Sequence, residues 1–138
     1  AMRQTLAAVP IRNLMVTTVV TVPSQCTLEE AVNRYFQPYG YGGFPVVDDG
    51  RLVGLLTVHD VQAVSSAVWP WRHVGQVMHP ASPSLIVEPD TPVVQVMEHM
   101  MREGWDRLVV MQDGHVIGLV THSAILHFLE LRSASGRP

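Results

Sequence analysis

The chain has 138 residues, of which 47% are hydrophobic and 15% are charged, and its formal net charge is −3. This composition is typical of a globular domain with a substantial core, and it excludes an intrinsically disordered chain. The small negative charge gives no general electrostatic reason to bind nucleic acid, so we expect no nucleic-acid partner. The sequence contains no run of about 18 apolar residues, so we expect no segment of it to span a bilayer.

Cys26 is the only cysteine, so the chain has no internal disulfide. A single cysteine fits a reduced compartment, and we therefore expect a cytoplasmic location. We interpret Cys26 as a small, half-buried residue ahead of a helix rather than as a reactive thiol. Ala1 precedes Met2, which suggests that the sequence is a piece of a longer chain.

The most informative feature is an internal repeat with an offset of 64 residues. Residues 46–57 read VVDDGRLVGLLT and residues 110–121 read VMQDGHVIGLVT, with Asp-Gly, Gly-Leu and Thr in register. A fixed offset of this kind indicates two copies of one supersecondary unit. The predicted boundaries are 9–64 for the first repeat, 65–73 for the connector, 74–130 for the second repeat, and 1–8 and 131–138 for the tails.

Each copy opens on a short apolar turn that ends in Met and continues into a β-rich stretch. In the first copy these segments read IRNLM and TVVTV, and in the second copy they read VGQVM and SLIV. A helix follows in the first copy, where Thr27 and Glu30 form a capping-box pattern. Its predicted apolar face has helical spacing and consists of Leu28, Ala31, Val32, Tyr35 and Phe36.

The corresponding helix of the second copy has its own start and stop signals. Thr91 is the predicted N-cap and Pro92 the first helical residue, and Gly104 is predicted to end the helix. The predicted core-facing residues are Val93, Val96, Met97, Met100 and Met101. We interpret the three methionines as core or dimer packing rather than as a recognition groove.

A β-hairpin follows the helix in each copy, because Asp49-Gly50 and Asp113-Gly114 stand between apolar runs. The second hairpin strand leads directly into a short helix that begins at Thr57 or Thr121. The predicted order is therefore β-α-β-β-α, twice, which places the chain in the α+β class. A unit of about 64 residues has little core of its own, so we expect the two repeats to pack together with pseudo-two-fold symmetry.

The junction GLLTVHD at residues 54–60 is the segment best suited to binding a ligand. The N–H groups and the dipole at the start of a helix favour an anion such as phosphate, and Thr57 adds a hydroxyl donor. Asp60 supplies two acceptor oxygens, which suit a vicinal diol such as that of ribose. The alternative interpretation is a plain capping box in which Asp60 takes the usual place of Glu.

The two β-α-β-β-α units, the hairpins FPVVDDGRLVGLLT and LVVMQDGHVIGLVT, and the GLLTVHD junction resemble a pair of CBS (cystathionine-beta-synthase) domains. The resemblance implies a regulatory module that binds AMP, ADP, ATP or S-adenosylmethionine and requires no cofactor. It implies that Thr57 contacts phosphate and that Asp60 contacts the ribose hydroxyls. The adenine is expected against Thr18, Val19, Val20, Gly43, Phe44 and Pro45. His59 lies inside the motif as a further candidate contact, with a solvated first-turn histidine as the alternative.

The second copy departs from the family pattern, because Ala124 stands where the first copy has Asp60. A diol bound there would lack a charge-assisted hydrogen bond worth about 1.5–3 kcal/mol. That loss corresponds to about a tenfold to hundredfold weaker affinity, so we predict one competent cleft, marked by Thr57 and Asp60. Arg107 and Thr121 are candidate phosphate contacts in the second copy. The alternative for Arg107 is a surface cation beside Asp106.

A closer resemblance links YFQPYGYGGFPVVDDGRLVGLLTVHDV and WPWRHVGQVM to CBS pairs at the C-terminus of site-2-protease-like membrane metalloproteases. The zinc motif HExxH of those proteases is absent from this sequence, so the chain would be their regulatory part. The leading hypothesis is thus an adenine-nucleotide sensor that forms a homodimer and passes its ligand state to a fused or partner protein. The alternative is a ligand-free dimerisation module.

Other candidate sites carry less weight. The seven histidines are scattered, and His122 and His127 are five residues apart, which is poor spacing for shared coordination on one helix face. We therefore expect no metal site. No nucleophile–base arrangement emerges either, so we expect no catalytic residues and predict that the chain is not an enzyme. Trp69, Trp71 and Trp105 are expected to pack the connector against the body.

Overall fold

The structure is a computed structural model that describes residues 8–135, with side chains through residue 133. The outermost parts of the predicted tails, residues 1–7 and 136–138, lie outside the described residues. The chain divides into two compact units. The first unit comprises residues 20–82, and the second unit comprises residues 8–19 and 83–135.

The first unit opens on a helix, α1, over residues 28–39. Thr27 caps it as predicted: its hydroxyl accepts a hydrogen bond from the Glu30 N–H, and the Glu30 carboxylate accepts one from the Thr27 N–H. The helix has regular α geometry over Leu28–Ala31 and Gln37–Tyr39, but it is a π-helix over Val32–Phe36.

The π-helical turn has a local cause in Pro38. A proline inside a regular α-helix has no N–H to donate, and its ring clashes with the carbonyl four residues back. The wider turn, in which the N–H of Gln37 donates to the carbonyl of Val32, accommodates the proline within the helix. The helix ends at Gly40, which adopts a left-handed φ of 69°.

The sheet of the first unit has three antiparallel strands. Strands β1 (Gly43–Asp48) and β2 (Arg51–Thr57) form the predicted hairpin. Asp49 and Gly50 have φ values of 49° and 77°, as a type I′ turn requires. The short helix α2 (Val58–Gln62) starts directly after β2.

The first unit closes with two short elements from the start of the second repeat. These are helix α3 (Val74–Val77) and strand β3 (His79–Pro80), which pairs with the free edge of β2 and places His79 opposite Leu55. The core between the sheet and the helices is formed by Val22, Leu28, Ala31, Phe44, Val46, Leu56, Val61 and Val74.

The second unit repeats the helix, the hairpin and the following helix of the first unit, but its third strand pairs with the first hairpin strand instead of the second. It contains strand β4 (Ile86–Val87), helix α4 (Val93–Glu103), the hairpin of β5 (Arg107–Gln112) and β6 (His115–Thr121), and helix α5 (His122–Ser135). Strand β4 pairs with β5 in parallel, and β5 pairs with β6 antiparallel. Its core is formed by Ile11, Val87, Val93, Val96, Met100, Leu108, Val110, Val120 and Ile125.

Helix α4 matches its prediction with two differences. It begins at Val93, one residue later than expected, with Pro92 rather than Thr91 at the N-cap, and it ends at Gly104 as predicted. Met101 was expected in the core, but it is 74% exposed. At 3.6 residues per turn, Met101 lies about 80° around the helix from Val93, at the margin of the apolar stripe.

The predicted first β-rich stretch of the first copy does not form a continuous strand. Val16 makes an isolated bridge to Leu119 in the second unit, and Val22 makes one to Val46 in the first unit. Val16 precedes the predicted stretch, residues 18–22, so Val22 is the member of the stretch that pairs. Residues 18 and 19 belong to the second unit and residues 20–22 to the first, and they form no regular strand.

A glycine in each hairpin leaves room for the opening turn of the other copy. Gly54 of the first copy faces Met78 of the second, and Gly118 of the second copy faces Met15 of the first. A Cβ on Gly54 would lie 2.6 Å from Sδ of Met78, and a Cβ on Gly118 would lie 2.8 Å from Cγ of Met15. Only glycine allows the methionine to approach the strand this closely. The methionine that ends each apolar turn is therefore packed on the glycine that starts each GLLT or GLVT segment.

The predicted α+β class is confirmed by the two small mixed units.

Two of the tryptophans pack as expected. Trp69 is half-buried against the core of the first unit and donates its indole N–H to the carbonyl of Val64, and Trp105 packs against the core of the second. Trp71 is instead 72% exposed. Within residues 8–135, no helix is long and apolar enough to cross a membrane.

Candidate functional site

Thr57 and Asp60 are held together by a complete capping box at the start of α2. The Thr57 hydroxyl accepts a hydrogen bond from the Asp60 N–H at 3.2 Å. In return, Oδ2 of Asp60 accepts one from the Thr57 N–H at 2.8 Å. The capping interpretation of this motif is therefore realised in the structure, and any ligand must bind to groups that already serve the fold.

The second carboxylate oxygen of Asp60 faces a histidine that the sequence analysis did not place in the site. Oδ1 of Asp60 lies 2.9 Å from Nε2 of His79. The Asp60 side chain is 13% exposed, and the His79 side chain is 46% exposed. No local sequence signal marks this contact, because His79 reaches Asp60 only through the pairing of β3 with β2.

The electrostatics of the junction favour a hydrogen-bond donor over an anion. Helix α2 has only five residues, so its dipole is small, and the Asp60 N–H is already taken by Thr57. The fixed charge nearest the start of the helix is the Asp60 carboxylate. A carboxylate accepts hydrogen bonds from hydroxyl groups and repels phosphate, so the geometry suits the predicted diol contact better than the predicted phosphate contact at Thr57.

The segment that enters the hairpin lies directly beside this junction. Gly43 is paired with Thr57 across the sheet, and the N–H of Val58 donates to the carbonyl of Gly42 at 2.9 Å. Gly43, Phe44 and Pro45 are all buried.

The Phe44 ring is 1% exposed, so it is committed to the core and only the backbone of this segment is placed to contact a ligand. The Phe44 ring packs against an aromatic cluster formed by Tyr35, Phe36, Tyr39 and Tyr41.

The remaining predicted contacts are distributed between the units. Thr18, which is exposed, and Val19, which is half-buried, belong to the second unit. Val20 belongs to the first unit, where it packs against the core. His59 lies on the first turn of α2 with its side chain exposed.

The equivalent junction of the second copy retains only half of the capping box. The Thr121 hydroxyl accepts a hydrogen bond from the Ala124 N–H at 3.1 Å and lies 3.3 Å from the Ser123 hydroxyl. Arg107 is paired with Thr121 across the hairpin, and its side chain is 13% exposed. Its guanidinium lies against the Asp106 carboxylate, with Nε 3.1 Å from Oδ1. Arg107 therefore lies beside Asp106, and a contact with phosphate would require its guanidinium to leave this carboxylate.

An open depression of about 240 Å³ lies beside this second junction. It is lined by Met100, Met101, Gly104, Trp105, Asp106 and His122. The lining is mostly apolar. Elsewhere, no cluster of three or more His, Cys, Asp or Glu side chains within residues 8–133 is arranged to hold a metal ion.

Two segments of the chain match one protein family. Residues 11–66 and residues 74–131 each match the CBS domain.

The curated relatives are longer than this chain. The uncharacterised protein MJ0188 of Methanocaldococcus jannaschii is 26% identical over 120 residues, which cover 86% of this chain and 43% of that protein. Rip3 of Mycobacterium tuberculosis, which is named as a zinc metalloprotease, is 24% identical over 131 residues, which cover 94% of this chain and 33% of that protein. The chain thus spans less than half the length of these relatives.

Solved structures with the same fold include a CBS domain from a membrane protein of Sphaerobacter thermophilus, at 27% identity and a TM-score of 0.76 over 91% of both chains. The CBS domain of a bacterial CNNM/CorC family Mg²⁺ transporter in complex with ATP has 20% identity and a TM-score of 0.80 over 91% of this chain and 90% of that chain. The CBS domain pair of MJ0100, in complex with 5′-methylthioadenosine and S-adenosylmethionine, has 20% identity and a TM-score of 0.79 over 91% of this chain and 98% of that chain.

Proposed function

The chain belongs to the CBS domain family, as its repeat predicted, and on this premise we propose that it is a regulatory module that binds an adenosine-containing ligand at the Thr57–Asp60 junction. The observation that carries this proposal is the position of the Asp60 carboxylate. It is partly buried beside the β1–β2 hairpin and close to the chain entering that hairpin, which is a suitable position for an acceptor of two hydroxyl groups.

The ligands of the structural relatives support recognition of adenosine rather than of phosphate. ATP, 5′-methylthioadenosine and S-adenosylmethionine share an adenine and a ribose diol, but only ATP has phosphates. The carboxylate at the junction can accept hydrogen bonds from the ribose diol, and helix α2, with only five residues, has a small dipole to offer a phosphate. In this proposal Asp60 binds the ribose diol and Thr57 positions Asp60 through the capping box.

The other contacts of the proposed site follow the family resemblance. The adenine lies against the backbone of Gly43–Pro45 and against Val20, while the contacts expected from Thr18 and Val19 remain predictions from the sequence. His59 is exposed near the start of α2 and contacts the 5′ substituent of the ligand. The second copy binds more weakly, because Ala124 offers no acceptor for the diol. Arg107 and Thr121 would there contact phosphate only if Arg107 leaves Asp106.

The proposed biological role is regulation and not catalysis. The ligand shifts the equilibrium between arrangements of the chain by as much as it prefers one of them. Similarity to Rip3 supports fusion to a membrane metalloprotease, with this chain on the cytoplasmic side. Exposed apolar side chains on α4 and α5, namely Val94, Met101, Leu126 and Leu131, support a homodimer formed through helical faces.

Isothermal titration calorimetry with AMP, ADP, ATP and S-adenosylmethionine tests the proposal. At least one of them should bind the wild-type chain, and Asp60→Asn should weaken that binding about tenfold to hundredfold, because an amide NH2 group replaces the carboxylate oxygen that faces the diol. Asn retains an acceptor for the Thr57 N–H, so the cap should survive. Ala124→Ser at the equivalent position is the matched control and should leave the affinity unchanged. Absence of binding by all four ligands at millimolar concentration would refute the proposal.

One observation favours the alternative of a ligand-free dimerisation module. Both oxygens of Asp60 already have partners within the chain, Thr57 and His79, so the junction is satisfied without a ligand. A chain that sediments as a dimer, and whose melting temperature is unchanged by every ligand of the panel, would support this second function.

A further inference from the structure

We propose that His79 controls how strongly the site discriminates ligands with a ribose diol from ligands without one, by competing with the diol for Oδ1 of Asp60. This inference rests on the proposed function of the Thr57–Asp60 junction and assigns a role to a residue outside its sequence motif. It makes His79 a specificity-determining residue rather than a ligand contact.

Each oxygen of the Asp60 carboxylate already has a partner within the chain. Oδ2 accepts the Thr57 N–H at 2.8 Å, and this bond fixes the direction of the carboxylate within the cap. Oδ1 is the oxygen outside the cap, and Nε2 of His79 lies 2.9 Å from it. Because the Asp60 side chain is only 13% exposed, a ligand has few directions of approach to Oδ1, and the imidazole occupies one of them.

The backbone holds His79 in this position independently of its side chain. β3 pairs with β2, so that His79 is opposite Leu55 and Pro80 is opposite Gly54. A Cβ on Gly54 would collide with the carbonyl oxygen of His79, which shows how closely the two strands approach. Replacing the imidazole should therefore leave the strand in place while it changes the access to Asp60.

The competition has a specific consequence. A diol can use Oδ1 fully only when the imidazole withdraws, so part of its binding free energy is spent on breaking the His79–Asp60 contact. A ligand without the diol does not bind Oδ1, so its affinity does not depend on His79. The imidazole therefore reduces the preference for diol ligands, and occupancy of the site by such a ligand changes the contacts of the strand that opens the second repeat.

The test compares adenosine with 2′,3′-dideoxyadenosine on the wild-type chain, His79→Ala and His79→Gln, by calorimetry at one pH. Adenosine should bind His79→Ala about twofold to fivefold more tightly than wild type, since the lost contact is a single half-exposed hydrogen-bonded pair. Dideoxyadenosine should bind all three chains equally. His79→Gln keeps a hydrogen-bond donor, so its affinity for adenosine should lie between those of the wild-type chain and His79→Ala. His115→Ala, an exposed histidine in the other hairpin, is the matched control and should behave as wild type.

Three results would overturn the inference. If His79→Ala binds adenosine as wild type does, the imidazole does not compete. If it binds adenosine more weakly, His79 orients Asp60 for the ligand instead. If both ligands change equally, the substitution acts on the fold and not on the diol. Failure of adenosine to bind any of the chains at millimolar concentration would overturn this inference, whereas the proposed function is refuted only if AMP, ADP, ATP and S-adenosylmethionine also fail to bind.

Discussion

Side-chain caps link loops to helices at two places that the sequence marks clearly. Thr27 with Glu30 and Thr57 with Asp60 form complete capping boxes, and both were predictable because each pattern spans only four residues. The contact between Asp60 and His79 was not predictable, because the two residues are 19 positions apart and meet only through strand pairing.

Asp48 provides a pH-dependent contribution to stability at the residue scale. Its two carboxylate oxygens accept hydrogen bonds from the hydroxyl and the N–H of Ser24, and these bonds hold the pKa of Asp48 below its ordinary value of 3.8. A lowered pKa in the folded state means that the stabilisation is present above the ordinary pKa and is lost as the pH falls through the folded-state pKa.

Asp48→Asn should therefore be less stable than wild type at pH 5 to 7, by at most about 1 kcal/mol because the group is solvent-accessible. The difference should shrink as the pH falls from about 4 to 2, since the wild-type carboxylate becomes protonated. Urea unfolding across this pH range measures it, and Asp49→Asn in the adjacent turn controls for the loss of one charge. A difference that stays constant down to pH 2 would contradict the assignment.

At the scale of elements, local signals were reliable and long-range pairings were not. The Asp-Gly hairpins were predicted because their turn type depends on two adjacent residues. The stretch TVVTV of the first copy was predicted as β-rich, yet within it only Val22 pairs with another strand, through an isolated bridge to Val46. The π-helical turn was not predicted, because the apolar spacing that indicates the helix gives no information on how Pro38 is accommodated within it.

Gly54 and Gly118 should tolerate no side chain. Gly54→Ala and Gly118→Ala should each lower the free energy of unfolding by about 1–3 kcal/mol, because the added methyl group collides with the His79 carbonyl oxygen and Met78 at Gly54 and with Met15 at Gly118. Gly75→Ala is a milder comparison, since its Cβ would lie 3.3 Å from Cβ of Ser24. Denaturant unfolding measures all three. Equal effects at Gly54 and Gly75 would show that the close approach of the methionine does not constrain the strand.

At the scale of the whole molecule, the compact units do not coincide with the sequence repeats. The repeat aligns Ile11 with the first copy, but Ile11 is fully buried in the core of the second unit, and its N–H donates to the carbonyl of Thr91. Similarity between the copies locates the repeats, but it carries no information on which turn packs on which sheet. The boundaries 9–64 and 74–130 thus remain a prediction about sequence units.

Ile11→Ala tests this assignment of the opening turn. Truncation of a buried isoleucine should cost about 2–5 kcal/mol, and the loss should fall mainly on the second unit. In native-state hydrogen exchange, the amides of Leu108–Val110 should lose more protection than those of Phe44–Val46. Leu28→Ala, in the core of the first unit, should give the reverse pattern. A larger loss at Phe44–Val46 in Ile11→Ala would contradict the assignment.

The central claim is that one junction of the two, the one at Thr57 and Asp60, binds an adenosine-containing ligand. The most direct measurement is a titration of the ¹⁵N-labelled chain with AMP, followed by amide chemical shifts. The account predicts that the largest saturable shifts fall on Gly43, Thr57 and Asp60, with weaker or no shifts at Thr121 and Ala124. Shifts centred on Thr121 and Ala124 would contradict it, as would the absence of shifts with AMP, ADP, ATP and S-adenosylmethionine, each at millimolar concentration.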